Sequence, residues 1–435
     1  MRILLTNYNY YPFAYGGSEV YVAALAKYMM QKGHEVYIMA AVPDQAFSQH
    51  PVVFNDDHLR VCRYSYQDVT VYGIQHLHNT VFQNYGRYLP SAQPSWTKFF
   101  ALLPGFDLLH MNAFTPFIGL NLVYAFKTTN PQAKRITSYH TPLSCPKGSL
   151  VFGQTGDECR INPTPNICGA CLVATSSAVP FPVARLLAPL MPGKPHKALP
   201  NILYRKYLAS IAIDSFQELD ANTQHWIVYS DGVRNTLLVN GVRAAKISRL
   251  VHGITPIFFS TQPKSQTEQI FVYNGRFDKI KGVETLMLAW LRLAQLPHRK
   301  LWITTDPAKV PDAFKTTVQQ LQQRSDVQFL GVKPQKELLE IYSHAHCVII
   351  PSLSVEIGPL VFHEAIASGC NVIASDIGGC AELHEHYKSS SQIFRAKDDG
   401  DLAKKIEAFV YSTAPANMPI TQETHYKDVY DLYER

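Results

Sequence analysis

Short apolar runs recur along this 435-residue chain at intervals that leave room for one helix between neighbours, and that alternation restricts the fold more than any other feature. Ile3 to Asn7 has the composition of a buried strand. A Tyr-rich loop leads to Gly16 and Gly17, Ser18 is placed to cap a helix, and Val20, Tyr21, Ala24, Leu25, Tyr28 and Met29 follow at helical spacing. Gly33 is a natural stop, after which Glu35 to Ala41 resumes as a strand. Asp107 to Asn112, Arg135 to His140 and Trp226 to Ser230 continue the series, the last followed by a helix over Asp231 to Val239 with Gly241 at its end. In the second half, Ile270 to Tyr273, Lys300 to Thr304, Val327 to Leu330, Cys347 to Ile350 and Asn371 to Ala374 repeat the pattern. Strands joined by crossover helices run parallel, so the expected class is α/β with two doubly wound, Rossmann-like domains.

Length allows two large domains, each able to bury its own core. The expected division is 1–208, carrying a loop-rich insertion at 145–171, then 209–412, then a terminal helix over 413–435 that packs back on the first domain. Tyr426, Val429, Tyr430 and Tyr433 give that last helix its apolar stripe. No apolar run approaches the ~20 residues that span a bilayer, and the apolar part of the N-terminus, Ile3 to Leu5, is far shorter than a signal-peptide core. A cytoplasmic protein is expected. The net charge is +6, but the basic residues form no long runs, so nucleic acid is not an expected partner. Anionic substrates or an anionic membrane surface fit better. Arg185, Lys194, Lys197, Arg205 and Lys206 lie among Leu, Pro and Tyr between Phe181 and Lys206, a composition open to two readings: a solvated linker, or a peripheral contact at the inner membrane face.

The chemistry concentrates in Val348 to Glu364, VIIPSLSVEIGPLVFHE. An apolar strand ends in a polar loop holding Glu356, Gly358 permits a tight turn, and Pro359 suits the first position of a helix that carries Glu364. Free amides at that helix start, from Gly358, Leu360 and Val361, suit a diphosphate, and the two carboxylates are spaced to address different parts of one extended ligand. Two strand-to-glycine-to-helix junctions, at Gly16–Leu25 and Asn274–Leu286, offer further backbone amides; either alone is common in doubly wound folds. Arg276 and Lys281 flank the second junction, and a diphosphate leaving group needs such cations as its charge develops.

In order and spacing these segments resemble the retaining glycosyltransferases of family 4, which have the GT-B architecture of two Rossmann-like domains about a central cleft. The resemblance runs from the GGSE loop at Gly16 through GRFDKIKG at Gly275 and FLG at Phe329 to the glutamate pair and SDIGGCAEL at Ser375. It implies transfer of a hexosyl group from a UDP-, GDP- or ADP-linked donor to a hydroxyl of a glycan or lipid-linked acceptor, in cell-surface polysaccharide synthesis. It further implies that Gly16 and Gly17 approach the donor phosphates, with Gly331 and Val332 also on the donor side. Arg276 and Lys281 would hold the pyrophosphate, Glu364 the ribose, Glu356 the sugar region, and His140 the transferred sugar. No catalytic metal or cofactor is implied, since the cations and the helix start do the neutralising. His252-Gly253-Ile254 departs from the family's usual Asn-Gly-Val, and His363 stands where an apolar residue is usual, as a partly exposed helix position. Two alternatives stay open: a nucleotide-sugar epimerase of the same fold, and a non-catalytic scaffold subunit that binds a nucleotide sugar.

Cys145, Cys159, Cys168 and Cys171 fall within the Gly- and Pro-rich insertion, spaced C-x13-C-x8-C-x2-C. They are candidate thiolate ligands of a structural zinc, which would order a segment with little core of its own. Simple packing of four reduced cysteines is the competing reading. Cys62, Cys347, Cys370 and Cys380 have the pattern of buried small residues.

Overall fold

A computed structural model describes residues 1–77, 87–153, 158–194, 201–259, 262–412 and 417–435; Lys197 of the basic stretch lies outside them. The chain forms two compact units, one of Met1–Thr155, Cys159–Leu250 and Tyr426–Arg435, the other of Gly156–Glu158 and Val251–His425.

The first unit is built on a sheet ordered β3-β4-β5-β2-β1-β6-β7-β8-β9. Its strands are β1 (Arg2–Asn7), β2 (Glu35–Ala41), β3 (Val52–Asn55), β4 (Leu59–Tyr66), β5 (Val69–His76), β6 (Leu108–Met111), β7 (Lys134–Ser138), β8 (His225–Val228) and β9 (Ile247–Arg249). From β2 through β1 to β9 every pairing is parallel, as crossover helices require, and the central strands are buried on both faces. The antiparallel β3–β4–β5 meander at one edge was not foreseen. The division at residue 208 is corrected. The helix Arg205–Asn222 is the crossover into β8, which pairs with β7, so a cut at 208 would split that helix and strip two strands from the sheet. The unit continues to Leu250.

The insertion is also less irregular than its composition suggests. Thr164 caps the helix Pro165–Ser176 by accepting from the Ile167 amide, with Pro165 in its first turn. The last helix, Gln422–Glu434, enters the first unit at Tyr426. Val429 is fully buried there, the Tyr433 hydroxyl lies 2.6 Å from His110 Nδ1, and Lys134 donates to the Tyr433 carbonyl.

The second unit has one all-parallel sheet, ordered β12-β11-β10-β13-β14-β15. These strands are β10 (Gln269–Tyr273), β11 (Arg299–Ile303), β12 (Val327–Phe329), β13 (Cys347–Ile350), β14 (Asn371–Ser375) and β15 (Ser391–Phe394). Period-two alternation divides its core: Phe271 and Tyr273 join Trp290 and Leu301 on one face, while Ile270 and Val272 join Tyr342, Phe362 and Ile366 on the other.

Candidate active site

In the second unit the chain winds outward in one direction through β10, β11 and β12, then in the other through β13, β14 and β15. The loops leaving β10 and β13 therefore diverge, and a crevice opens at the carboxyl ends of two adjacent strands. Arg276 and Lys281 follow β10; Glu356 follows β13 and leads to the helix Leu360–Ala367. Topology alone thus brings the expected donor residues to one end of one sheet.

Local packing sets their geometry. Lys281 Nζ lies 2.8 Å from Glu356 Oε1, and the Ser352 hydroxyl donates to the same oxygen at 2.7 Å. Gly282 is left-handed, with φ of +65°, and any Cβ there would overlap the Pro351 carbonyl oxygen, so the lysine turn is pressed against the strand end that launches the Glu356 loop. From the other side, the Gly379 amide donates to the Glu356 carbonyl at 2.7 Å, and a Cβ on Gly379 would approach that oxygen to 2.5 Å. Ser375 ties down the same loop by donating to the Ser352 carbonyl. The glycines of SDIGG thus act as a backbone buttress for Glu356.

Arg276 is exposed and makes no ion pair among the described residues, while its carbonyl accepts from the buried Tyr273 hydroxyl at 2.8 Å. Asn274 holds the same turn, donating to the Tyr342 hydroxyl at 3.0 Å and accepting from Thr304 at 2.8 Å. Glu364 is half-buried on the Leu360–Ala367 helix, and its carboxylate has no hydrogen-bond partner among the described residues. Burial pushes its pKa up to about 7. An acceptor pair held without donors suits a ligand that brings its own hydroxyls. Pro359 stands just before the helix as its N-cap, one position earlier than expected, and leaves Leu360 and Val361 to supply the first free amides beside Gly358. Gly331 and Val332 reach the same sheet end on the β12 loop, but two strands separate them from β13, and Val332 is 80% exposed. They are not brought against the glutamate pair.

Two departures resolve as packing. His363 is buried, 3.3 Å from the Tyr387 hydroxyl, and burial lowers its pKa to about 4; it is not a partly exposed position. The His252-Gly253-Ile254 segment docks on the chain before the last helix: a Cβ on Gly253 would lie 2.4 Å from the Thr421 carbonyl oxygen, and Ile254 bridges to Thr421.

In the first unit, Gly16 caps the helix Gly17–Gln31 with its own extended backbone, and Ser18 instead donates to Glu19. A Cβ on Gly16 would come within 2.7 Å of Glu19 Oε2, a contact that rotation of the flexible glutamate side chain relieves. His140 follows β7, stacked on Tyr229 at 5.0 Å, edge-on to Tyr21 at 4.6 Å, with Nε2 3.2 Å from Asn112 Oδ1. A buried relay of His110, Ser138, Tyr229 and Tyr21, linked at 2.8, 3.2 and 3.1 Å, backs it. Ser352 and Asn274 in the second unit, and Asn112 and Tyr21 around His140 in the first, were missed; the only signals were that Asn112, Asn274 and Ser352 stand one or two residues beyond strand ends and that Tyr21 lies on the helix Gly17–Gln31.

The four cysteines of the insertion line one small cavity with Phe152, Ile161 and Ile167, and none of the four is disulfide-bonded. Burial, followed by the neighbouring thiols, pushes Cys168 up to about 12. Among the described residues, however, no three His, Cys, Asp or Glu side chains are arranged as a metal ligand set.

Family comparison agrees with both units. The model described as Glycosyltransferase Family 4 matches residues 15–158, and Glycosyl transferases group 1 matches 255–423. A D-inositol 3-phosphate glycosyltransferase of Corynebacterium aurimucosum is 30% identical over 173 residues, and the match spans 38% of each chain. Among solved structures, sucrose-phosphate synthase from Thermosynechococcus elongatus superposes over 100% of this chain and 98% of its own with a TM-score of 0.62 at 18% identity. Anabaena HepE, in complex with UDP and glucose, covers 100% and 99% with a TM-score of 0.60 at 13% identity. The fold is therefore that of the GT-B glycosyltransferases. Within that fold, the chain carries a Glycosyltransferase Family 4 domain over residues 15–158 and a Glycosyl transferases group 1 domain over residues 255–423.

Proposed function

We propose that this protein moves a sugar from a nucleotide-diphosphate donor to a hydroxyl of a glycan or lipid-linked acceptor, with retention at the anomeric carbon. The observation that carries the reading is the Lys281–Glu356 pair, wedged by Gly282 and Gly379 at the crevice where the charged groups of Arg276 and Glu364 have no ion-pair partner among the described residues. Donor diphosphate would lie against Arg276, Lys281 and the amides of Gly358, Leu360 and Val361, with the ribose hydroxyls on Glu364. The C1–O bond to phosphate breaks as the acceptor oxygen forms its bond to C1 on the same face, and the acceptor proton passes to the departing phosphate oxygen. Charge developing on that phosphate is met by the two cations and the helix start, so neutralisation needs no catalytic metal. Glu356 steadies Lys281 and the positive character at C1. His140, held between two tyrosine rings, would contact the transferred sugar from the first unit, and Gly16 and Gly17 would approach the phosphates. Cell-surface polysaccharide synthesis is the assignment that best fits the family resemblance. A structural zinc on Cys145, Cys159, Cys168 and Cys171 belongs to the same proposal on the spacing of the four cysteines in the sequence, and all four line one cavity, although as placed they do not form a ligand set.

The test is a thermal-shift and product screen of the purified chain with UDP-, GDP- and ADP-sugars, with chelator present. Stabilisation by one nucleotide, with the sugar released or transferred in the α or β form of the donor, is expected. Binding without turnover under any acceptor would replace the reading with the scaffold one. Elemental analysis should find about one zinc per chain, lost in Cys168→Ser/Cys171→Ser; a folded, zinc-free wild type removes the metal from the proposal.

A further inference from the structure

Between Glu158 and Asp214 the sequence contains no Asp or Glu, yet it holds six cations: Arg160, Arg185, Lys194, Lys197, Arg205 and Lys206. The chain as a whole has 40 basic and 34 acidic residues, so outside this one segment 34 of each remain. The entire net positive charge thus equals the charge of a single appendage of the first unit. The signal lies in the missing acids, which a search for runs of lysine and arginine passes over.

The same segment exposes its apolar face. The helix Phe181–Leu187 continues as a 3-10 turn over Ala188–Leu190. Along it, Val183, Leu186, Leu187 and Leu190 recur at the spacing of one helical stripe, and they are 45, 79, 49 and 82% exposed. Ala184 and Ala188 take the opposite face and are completely buried, packed with Ala170 and Val173. A globular helix normally turns its leucines inward; here alanines serve as the anchor and leucines face water. Beside the stripe a groove of about 460 Å³ is lined by apolar side chains that include Val173, Val179, Met191 and Ile202. Arg185 and Lys194 are exposed at its margin, and Lys206 donates to the Pro189 carbonyl at 3.3 Å.

We infer that this face seats on an anionic lipid bilayer: Leu186 and Leu190, flanked by Val183 and Leu187, enter the interface while Arg185, Lys194 and Lys206 meet the headgroup phosphates. Exposed apolar area of this kind calls for a cover, and a cover of opposite charge to the segment is the one its composition selects. Neither element alone holds a protein firmly at a membrane, whereas an apolar stripe with a cationic margin supplies both signals. The inference is independent of the transfer reading, because it concerns where the chain resides and its test does not read activity.

The experiment is co-sedimentation of the full chain with phosphatidylcholine vesicles prepared with and without phosphatidylglycerol. Binding is expected to the anionic vesicles, to weaken with added salt, and to be slight on phosphatidylcholine alone. Arg185→Gln/Lys194→Gln should lower partitioning roughly 25-fold, about fivefold for each cation. Leu186→Asp/Leu190→Asp should lower it at least about tenfold; both positions are exposed, and an unchanged melting temperature would show that the fold survives. Absence of binding to anionic vesicles, or equal binding by the double aspartate variant, overturns the inference. Sedimentation velocity supplies the other arm: a wild-type dimer that the aspartate variant converts to monomer would make this face a contact between copies of the chain, and the bilayer reading would fall.

Discussion

Glu364 and Glu356 share a crevice yet meet different surroundings. Glu356 is satisfied by Lys281 and Ser352, whereas Glu364 has no donor among the described residues and burial pushes its pKa up to about 7. The folded chain therefore binds more protons than the unfolded chain between the ordinary glutamate value, about 4.3, and about 7, and this residue's contribution to stability falls as pH rises through that window. His76, His363 and His425, each lowered to about 4 by burial, act in the opposite direction between about 4 and 6.5. Comparison with Glu364→Gln isolates the carboxyl: the variant should be the more stable by about 2–3 kcal/mol at pH 8 and by little at pH 4.5, read from urea denaturation without ligand. A flat difference across pH would remove the burial argument. Loss of the other glutamate touches chemistry instead. Glu356→Ala is expected to reduce transfer by about 10²–10³ while nucleotide still binds, since Arg276 and the helix start remain. Both glutamates were visible in the sequence through their spacing. Ser352 was not, because one hydroxyl after an apolar run looks like any loop residue until its partner is known.

Elements were legible where their periodicity was undisturbed. Glu35–Ala41, Cys347–Ile350 and Asp231–Val239 stand at the bounds their patterns set, and Ser230 caps the last of these by accepting from the Val233 amide. The β3–β5 meander escaped because Arg60, Arg63, Gln67 and Asp68 interrupt its apolar residues, leaving alternation without a continuous run. The helix Pro165–Ser176 escaped because Asn166 and Gly169 lower its propensity, although Thr164-Pro165 was a start signal. Gly169 has a packing reason: a Cβ there would strike the Lys206 backbone at 2.7 Å. At this scale the strictest steric demand is at Gly282. Gly282→Ala should cost roughly 2–4 kcal/mol and abolish donor stabilisation, because the strained turn and the Pro351 carbonyl must part, carrying Lys281 away from Glu356. Normal nucleotide-induced stabilisation in that variant would show that the wedge is not needed. Tyr433→Phe, which loses the 2.6 Å contact with His110, should cost about 1–1.5 kcal/mol in the first unit without altering nucleotide affinity.

At the scale of the molecule, two units with separate sheets and separate cores predict that heat unfolding departs from a single two-state transition, with a calorimetric enthalpy exceeding the van't Hoff value. Nucleotide diphosphate should raise the transition of the unit that carries Arg276, Lys281 and Glu364, and one coincident, two-state transition would contradict this. The division at Leu250 was hard to read in advance because alternation of strand and helix continues through both units, and no change of composition marks where one sheet is complete. Charge, by contrast, is distributed very unevenly. Once the acid-free segment is covered, the rest of the chain has as many acidic as basic residues, so adjoining copies lack the long-range repulsion that normally spaces proteins on a surface. Crowding on a bilayer would then be governed by footprint, and neighbouring molecules would stand shoulder to shoulder along it.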